Sequence, residues 1–194
     1  MGVEFELKYR ATPEILQQID RFAEGACTIY KMQTTYYDTP DGKLSDVYYT
    51  LRCRMENDRA VCTLKAPIQG KGRGEWELSC NNIQEAIPKL CKLGAPADLV
   101  DMTAGGVIPI CGARFTRIAK TVLLPDCTVE LALDQGVLMG GGKEIPLCEV
   151  EVELKSGEPA YCEAYARQLA LLFGLEYEEK SKFRRALALY KGEM

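Results

Sequence analysis

The sequence predicts a mainly β domain of the α+β class, with about eight antiparallel strands and with helices packed outside them. Three observations support this fold class. Apolar and charged residues alternate along many segments, each such segment carries its charges on one face only, and amphipathic helical patterns separate the strands. The chain has 194 residues, the usual size of one domain. We therefore expect a single domain over residues 1–194.

The first strand is predicted from Gly2 to Arg10, where apolar and charged residues alternate. Thr12 and Pro13 then provide an N-cap and a first-turn proline for a helix that runs to about Gly25. A β-rich segment follows at 28–39 and ends in a turn sequence. Strands at residues 47–54 and 59–65 are predicted to form a hairpin. A further strand is predicted at residues 73–78.

The remaining elements are read from capping residues and periodicity. Asn82 is a predicted N-cap for a helix with Ile83, Ala86, Ile87 and Leu90 on one face. A shorter helix is predicted at 97–102. Strands are then expected at residues 108–124, 128–137 and 145–154, and helices at residues 158–173 and 181–190. The run Gly140–Gly142 is interpreted as a β-turn, because it lacks the Lys-Ser/Thr ending of a phosphate-binding loop.

The composition limits the chemistry. Histidine is absent, which argues against histidine-based catalytic triads and against most zinc sites. The nine cysteines are odd in number and irregularly spaced, so free buried thiols are favoured over disulfides. Any catalysis is therefore expected to use carboxylates, cations and metal ions.

Charge and hydropathy favour a small-molecule partner. A net charge of -4 argues against nonspecific nucleic-acid binding. No apolar run approaches the ~20 residues that a membrane-spanning helix needs. The N-terminus shows no secretory signal pattern. We therefore expect a cytoplasmic protein without nucleic-acid or membrane partners.

Charged faces recur from strand to strand. One such face is weak support for a function, because a half-exposed antiparallel strand shows the same alternation. The repetition is more informative, since the opposite faces are apolar and can be covered by the helices. If about eight strands close into a barrel, its interior contains the sets Glu4/Glu6/Lys8, Arg52/Arg54, Thr63/Lys65, Arg73/Glu75/Glu77, Glu130/Asp134 and Glu149/Glu151/Glu153. A metal–polyphosphate would neutralise both kinds of charge.

These motifs resemble the CYTH, or triphosphate tunnel metalloenzyme, family. The family signature Glu-x-Glu-x-Lys occurs as Glu4, Glu6 and Lys8. Further matching motifs follow in the family's order at Tyr36–Thr39, Leu51–Arg54, Thr63–Lys65, Glu75/Glu77, Phe115–Arg117 and Ser181/Lys182. The stretch Val129–Gly157 is similar to the bacterial inorganic triphosphatase branch, which favours tripolyphosphate as the substrate.

The resemblance implies an eight-stranded antiparallel closed tunnel barrel and assigns roles to its residues. Phosphate binding and catalysis are expected from Lys8, Arg52, Arg54, Lys65, Arg117 and Lys182, with Arg73 as a further phosphate ligand. Glu4 and Glu6 are expected to serve both catalysis and metal binding. The candidate ligands of Mg²⁺ or Mn²⁺ are Glu4, Glu6, Asp134, Glu149, Glu151 and Glu153. Supporting roles are expected for Glu75, Glu77, Glu130 and Tyr37.

Several alternatives stay open at this stage. The substrate could be tripolyphosphate, a nucleoside triphosphate or thiamine triphosphate, and a class IV-type adenylyl cyclase would use the same tunnel. A non-catalytic polyphosphate- or nucleotide-binding module and a β-sandwich with solvated charged faces are the other readings. The sequence leaves the preferred metal open, and a homodimer is one of the oligomeric states that it allows.

Overall fold

The computed structural model describes residues 2–3, 5–68 and 72–193, with side chains from residue 5 onward. Ten strands form one sheet, and every described strand pairing is antiparallel. Eight strands have five or more residues, which confirms the mainly β prediction. The strands are β1 (Gly2–Val3), β2 (Glu6–Arg10), β3 (Ala26–Asp38), β4 (Thr50–Glu56), β5 (Arg59–Pro67), β6 (Arg73–Ser79), β7 (Ile108–Leu123), β8 (Cys127–Gly140), β9 (Lys143–Gly157) and β10 (Glu176–Tyr177).

The strand order is β1-β6-β5-β4-β3-β7-β8-β9-β2-β10. β1 and β10 therefore stand at the two ends of the sheet, and hydrogen bonds among the described strands do not close it. The N-terminal segment contributes near both ends, because β1 pairs with β6 while β2 pairs with β9. Closure into a barrel accordingly remains a prediction.

Most helices cover the apolar face of the sheet. The helices are α1 (Pro13–Phe22), α2 (Lys43–Asp46), α3 (Ile83–Lys92), α4 (Asp98–Met102), α5 (Pro159–Phe173) and α6 (Lys182–Lys191). Apolar residues of α1 and α5 pack with Val150 and Val152 of β9 in one core. Those of α3 and α4 pack with Leu51 and Leu64 in a second core. These positions alternate with the charged ones, as the sequence pattern predicts.

Helix α6 differs from the others and corrects the expectation that all helices lie outside. Ala186 of α6 packs in a third core with Tyr36, Phe115 and Leu138. In the strand register these side chains fall on the same face as Arg117 and Asp134. Helix α6 therefore lies on the charged face, where the side chains at one end of the strands are apolar.

Local capping explains where the helices begin. The Thr12 hydroxyl accepts a hydrogen bond from the Ile15 amide at 3.3 Å, and Ser181 caps α6 in the same way. Helix α1 ends at Phe22 rather than near Gly25. Helix α2 was not predicted, because its N-cap residue, Gly42, has no capping side chain; the Asp38 carboxylate instead accepts a hydrogen bond from the Leu44 amide at 2.9 Å.

The remaining local expectations concern the cysteines, the glycine turn and the lengths of the helices. All nine cysteines are free thiols, as expected, but only four of them are fully buried and Cys27 is exposed. Residues 141–142 form the predicted turn between β8 and β9. In the part of the chain that the structure describes, no helix has the length and apolar character needed to cross a bilayer.

Candidate active site

A cavity of about 1020 Å³ lies on the charged face of the sheet. Most of the predicted site residues line it: Glu6, Lys8, Arg52, Arg54, Lys65, Arg73, Glu75, Glu77, Arg117, Glu130, Glu151, Glu153 and Lys182. This placement excludes the β-sandwich reading, in which these side chains would point into solvent. Glu4, the remaining member of the N-terminal motif, lies outside the described residues.

The arginines of β4 form the cationic side of the cavity. Arg52 and Arg54 are two residues apart and therefore project from the same face of the strand. The Nε atoms of both are buried without a hydrogen-bond partner, and so is Oγ1 of Thr63, which pairs directly with Arg52 across the ladder. Burial, followed by the charge of Arg52, lowers the pKa of Arg54. Buried polar groups in proteins are normally hydrogen-bonded, so these unsatisfied atoms mark this part of the structure as unusual.

Acidic residues lie next to these arginines. The Glu75 carboxylate lies 3.5 Å from Nη2 of Arg52 and 3.6 Å from Nζ of Lys65. Arg54 makes a short ion pair with Glu56. The Glu75 carboxylate is thus shared by two cations on neighbouring strands.

Lys182 also lines the cavity, at the start of α6. Its ammonium nitrogen is 2.8 Å from Asp134, 2.6 Å from Glu149 and 2.5 Å from Glu151. Burial alone would lower the pKa of Lys182, but the three carboxylates outweigh burial and raise it. The Phe115 ring centroid lies 5.4 Å from the same nitrogen. Lys182 is therefore held as a buried cation at the junction of α6, β8 and β9.

Arg117 binds the same acidic group from β7. Its Nε and Nη2 donate to the two oxygens of Asp134 at 2.8 and 2.7 Å, a bidentate geometry. It also makes a short ion pair with Glu151. Burial lowers the pKa of Arg117, but the charges of Glu151 and Asp134 more than reverse the effect and raise it.

Two predicted metal ligands lie beneath the cavity wall rather than on it. Asp134 and Glu149 are both 0% exposed. Asp134 is bonded to Arg117 and Lys182, and Glu149 to Lys182 and Arg185. Burial raises the pKa of Glu149 to about 7, against the opposing charge of Lys182. Both oxygens of each carboxylate are paired with a cation, so we interpret the two residues as buried counter-ions.

Glu151 differs from its neighbours because it is both buried and part of the lining. Burial alone would raise its pKa, but the positive charges of Lys182 and Arg117 hold the pKa well below its ordinary value. Glu151 is therefore ionised throughout the physiological pH range.

Three carboxylates of the lining lie in one row across neighbouring strands. Glu6 of β2 is paired in register with Glu153 of β9, which is paired with Glu130 of β8. Directly opposed like charges repel each other unless a cation lies between them. Lysines supply part of this positive charge. Nζ of Lys155 lies 2.8 Å from the Glu153 carboxylate and 3.8 Å from that of Glu130, and Nζ of Lys8 lies 3.3 Å from the Glu6 carboxylate.

This row fits Mg²⁺ or Mn²⁺ in ligand type, because both ions prefer hard carboxylate oxygens. The side chains are not preassembled around an ion: among residues 2–3, 5–68 and 72–193, no group of three or more acids or thiols is close enough to hold a metal. The fit therefore rests on donor chemistry and on the register of Glu6, Glu153 and Glu130.

Tyr37, a predicted supporting residue, lies on the other face of β3. It packs against the core beneath α3 and does not line the cavity. The tyrosine at the site is Tyr36, whose burial raises its pKa. Strand alternation could have identified it, since Tyr36 shares its parity with Thr34, another lining residue. Arg185 was also missed, although it lies three residues after Lys182 and thus on the same side of α6.

Comparisons with known proteins agree with this geometry. The family model described as the CYTH domain matches residues 2–187. An inorganic triphosphatase of Haemophilus influenzae is 28% identical over 197 residues, covering 96% of this chain and 54% of the relative. The chain thus spans about half the length of the curated relative that it matches.

Two solved structures share the fold over nearly the whole chain. HpAC1 from Hippeastrum, whose structure is described as revealing a dominant triphosphatase activity, superposes with a TM-score of 0.67 at 22% identity and covers 98% of this chain and 96% of its own. The PH1819 protein of Pyrococcus horikoshii superposes with a TM-score of 0.61 at 21% identity, with 97% and 99% covered. At these identities the likeness establishes the shared fold.

Proposed function

The chain belongs to the CYTH domain family, and we propose that it is a metal-dependent triphosphatase that hydrolyses inorganic triphosphate to diphosphate and phosphate. The assignment as a triphosphatase follows from the relatives, one of which is named an inorganic triphosphatase. The finer assignment, to tripolyphosphate, rests on the cavity of this chain.

The observation that carries the proposal is the set of buried donors without acceptors. Arg52 and Arg54 both line the cavity, and Nε of each is buried without a hydrogen-bond partner. Leaving such groups unsatisfied costs about 1–3 kcal/mol each. A chain of phosphates supplies many acceptor oxygens and several negative charges, which suit the guanidinium groups of these two arginines.

We infer that a divalent metal is held by the carboxylate row of Glu6, Glu130 and Glu153. When bound there, the metal supplies charge neutralisation for phosphate oxygens and acidifies a water molecule. The row faces the cavity that also contains Arg52 and Arg54. Phosphate and metal would therefore meet between the acidic and basic walls.

The hydrogen bonds of Lys182 suggest how the acidic wall responds to the substrate. Lys182 donates hydrogen bonds to Glu149 and Glu151, and Asp134 lies 2.8 Å from its ammonium nitrogen as a third anionic neighbour. A phosphate that approaches Lys182 would compete with these three carboxylates. Glu151 is the one of the three that lines the cavity. We propose that Glu151 is released and orients the water that attacks the terminal phosphorus.

The basic residues would then stabilise the leaving diphosphate. Arg52, Arg54 and Lys65 lie on adjacent strands and contribute fixed positive charge at one wall. Charge that develops on the departing oxygens is stabilised without further reorganisation if these donors are already in place. No covalent intermediate on a side chain is needed.

We also propose that the N-terminal segment closes the sheet into a tunnel. β1 pairs at one end of the strand order and β2 pairs with β9 near the other, with only residues 4 and 5 between them. A short covalent link of this kind would join the two ends of the sheet without hydrogen bonds between them.

A substrate panel tests the proposed function. Purified protein is incubated with tripolyphosphate, ATP or thiamine triphosphate, each with Mg²⁺ or Mn²⁺, and the products are separated by ion chromatography. We expect the highest kcat/KM for tripolyphosphate, with equal amounts of phosphate and diphosphate. Cyclic AMP from ATP would instead identify a cyclase. Tight binding of tripolyphosphate without product would identify a binding module.

A further inference from the structure

Glu178 is a buried acid that the proposed function does not use. It follows β10 directly, is 2% exposed and does not line the cavity. Burying an ionised carboxylate is costly unless cations and hydrogen-bond donors compensate for the lost water. The contacts of Glu178 therefore indicate which cations its charge holds.

Glu178 links the edge of the sheet to α6. Its amide donates to the Lys8 carbonyl of β2 at 2.9 Å, and its Oε1 accepts from the Lys180 amide at 2.9 Å. Its Oε2 accepts from Nε of Arg10, on β2, at 2.6 Å and lies 3.6 Å from Nη1 of Arg185, on α6. Burial raises the pKa of Glu178, but the hydrogen bonds from Arg10 and the Lys180 amide outweigh burial and lower it. The ionised carboxylate thus faces one cation of β2 and one of α6.

Arg185 connects Glu178 to the wall of the cavity. Its Nη2 donates to Oε2 of Glu149, while its Nη1 faces Glu178. Its Nε is buried without a hydrogen-bond partner, so the two terminal nitrogen atoms carry these contacts. The other oxygen of Glu149 accepts from Nζ of Lys182 at 2.6 Å. The contacts therefore run from Glu178 through Arg185 and Glu149 to Lys182, which lines the cavity.

The charge of Glu178 limits how strongly Arg185 is drawn to Glu149. Arg185 has two carboxylate neighbours, and it shares one of them, Glu149, with Lys182. If Glu178 were neutral, Arg185 would keep one charged partner and would compete more strongly with Lys182 for Glu149. Lys182 would then move toward its other two carboxylate partners. Such a movement changes the position from which Lys182 can donate to a phosphate.

We propose that Glu178 is a positioning residue: acting through Arg185 and Glu149, it sets the position of Lys182 for phosphate binding. This inference rests on the proposed function, since it takes Lys182 to be a phosphate ligand. Buried ion pairs stabilise a fold weakly relative to apolar packing, and in some proteins they select one arrangement of side chains over others. Glu178 has this selecting role although it touches neither the cavity nor Lys182.

The test measures kcat and KM for tripolyphosphate in Glu178→Gln, which removes the charge and keeps the shape. KM should rise roughly tenfold, the size of effect seen when an outer partner of a functional ligand is lost. The change in kcat should be smaller, because a displaced phosphate ligand weakens binding, whereas partial unfolding would lower kcat and leave KM unchanged. Glu178→Asp keeps the charge and should bring KM back toward the wild-type value.

Arg10→Gln is the matched control. It removes the partner of Glu178 whose side chain is 59% exposed and leaves the contact between Glu178 and Arg185 in place. KM in Arg10→Gln should stay within about twofold of wild type, since the route to Lys182 is intact. An equal rise of KM in Arg10→Gln and Glu178→Gln would assign Glu178 to the edge of the sheet instead.

Double variants test the route itself. Residues that act through one another give non-additive losses, so Glu178→Gln should add little to the loss already caused by Arg185→Gln or by Lys182→Met. Additive losses would overturn the inference. Arg185→Lys takes the place of Glu178→Gln if the latter does not fold. It keeps a cation but has one nitrogen atom for two carboxylates, so an unchanged KM in Arg185→Lys would also overturn the inference.

Calorimetric titration with tripolyphosphate in a chelator separates binding from turnover. The dissociation constant should rise in Glu178→Gln by the same factor as KM, and an unchanged constant would contradict the positioning role. Failure of the proposed function is recognised separately, because the wild type would then bind tripolyphosphate without releasing phosphate in the presence of metal.

Discussion

The ammonium nitrogen of Lys182 lies 2.8 Å from Oδ2 of Asp134, a carboxylate that is 0% exposed. This contact ties the first turn of α6 to the middle of β8. Because Asp134 also receives two hydrogen bonds from Arg117, one buried acid holds two cations of the proposed phosphate site. The position of α6 and the geometry of the site are therefore coupled.

Replacing Lys182 should affect activity and stability together. Lys182→Met removes a proposed phosphate ligand, and we expect kcat/KM to fall by about 10²- to 10³-fold. It also leaves buried carboxylates without their cation, which should reduce the free energy of unfolding by about 3–5 kcal/mol. Phosphate release and urea unfolding measure the two effects. Lys191→Met, at the exposed end of α6, is the control, and equal behaviour of both variants would contradict the assignment.

Arg52 should behave in the opposite way with respect to stability. Its Nε is buried without an acceptor, so Arg52→Met removes an unsatisfied donor. We expect the free energy of unfolding to be unchanged or higher, while kcat/KM falls about 10²-fold or more. Arg114→Met removes an exposed arginine whose partner is Glu144 and should leave activity intact. A large loss of stability in Arg52→Met would show that this arginine is structural.

The carboxylate row should control metal dependence. Glu153→Gln keeps the shape of the side chain but lowers its charge, so we expect the Mg²⁺ concentration for half-maximal activity to rise by about tenfold or more. The maximal rate at saturating metal should fall less. Metal titrations of phosphate release measure this, with the exposed Glu144→Gln as control. An unchanged metal requirement in both Glu153→Gln and Glu6→Gln would exclude the row as the metal site.

Glu149 should make stability depend on pH. Its pKa is raised to about 7 in the folded protein, so between its ordinary value and 7 the folded state binds more protons than the unfolded state. Stability should therefore fall as pH rises through this window, by up to about 1.4 kcal/mol per pH unit. Glu149→Gln should remove this slope. Urea unfolding at pH 5.5 and 7.5 in the presence of a chelator compares the two proteins, and parallel pH dependences would contradict the assignment.

The pKa of Glu151 is shifted in the opposite direction to that of Glu149. Its pKa is held well below its ordinary value, so its contribution to stability is complete above the ordinary value and is lost only as pH falls below it. The two shifts have opposite signs, so stability that falls as pH rises is the effect expected of Glu149 and not of Glu151.

Gly140 should be needed for the position of α6. A Cβ at this glycine would lie 2.5 Å from the carbonyl oxygen of Ala186, so Gly140→Ala must push α6 away from β8. We expect lower stability and a loss of phosphate release, because Lys182 moves with the helix. Gly105→Ala, where a Cβ meets nothing within 4 Å, is the control. Wild-type activity in Gly140→Ala would show that the position of α6 does not govern the site.

Much of the architecture could be predicted from sequence because strand alternation is a local property. Arg52 and Arg54 project from the same face of their strand, and so do Glu151 and Glu153. This requires only that each strand be regular. The same parity identifies Tyr36 rather than Tyr37 as the cavity residue. The error at Tyr37 arose from a motif match, which gives the segment but not the face.

The roles of the buried acids could not be predicted in this way. Glu149, Glu151 and Glu153 share one parity, yet Glu149 is buried beneath the wall while Glu153 lines the cavity. The difference comes from α6, which places Lys182 and Arg185 over Glu149. Strand order and helix packing are tertiary properties, and alternation along a single strand does not contain them. Helix α2 was missed for the same reason, because the carboxylate that accepts hydrogen bonds from its first turn belongs to Asp38 at the end of β3.

The central claim is that the cavity binds triphosphate with a divalent metal and hydrolyses it. The most direct test is the initial rate of phosphate release from tripolyphosphate by wild type and Arg52→Met, with Mg²⁺ and with a chelator. We expect metal-dependent release of equal amounts of phosphate and diphosphate by wild type, and a rate lower by about 10²-fold or more in Arg52→Met. Release that persists at the wild-type rate in the chelator or in Arg52→Met would contradict the claim.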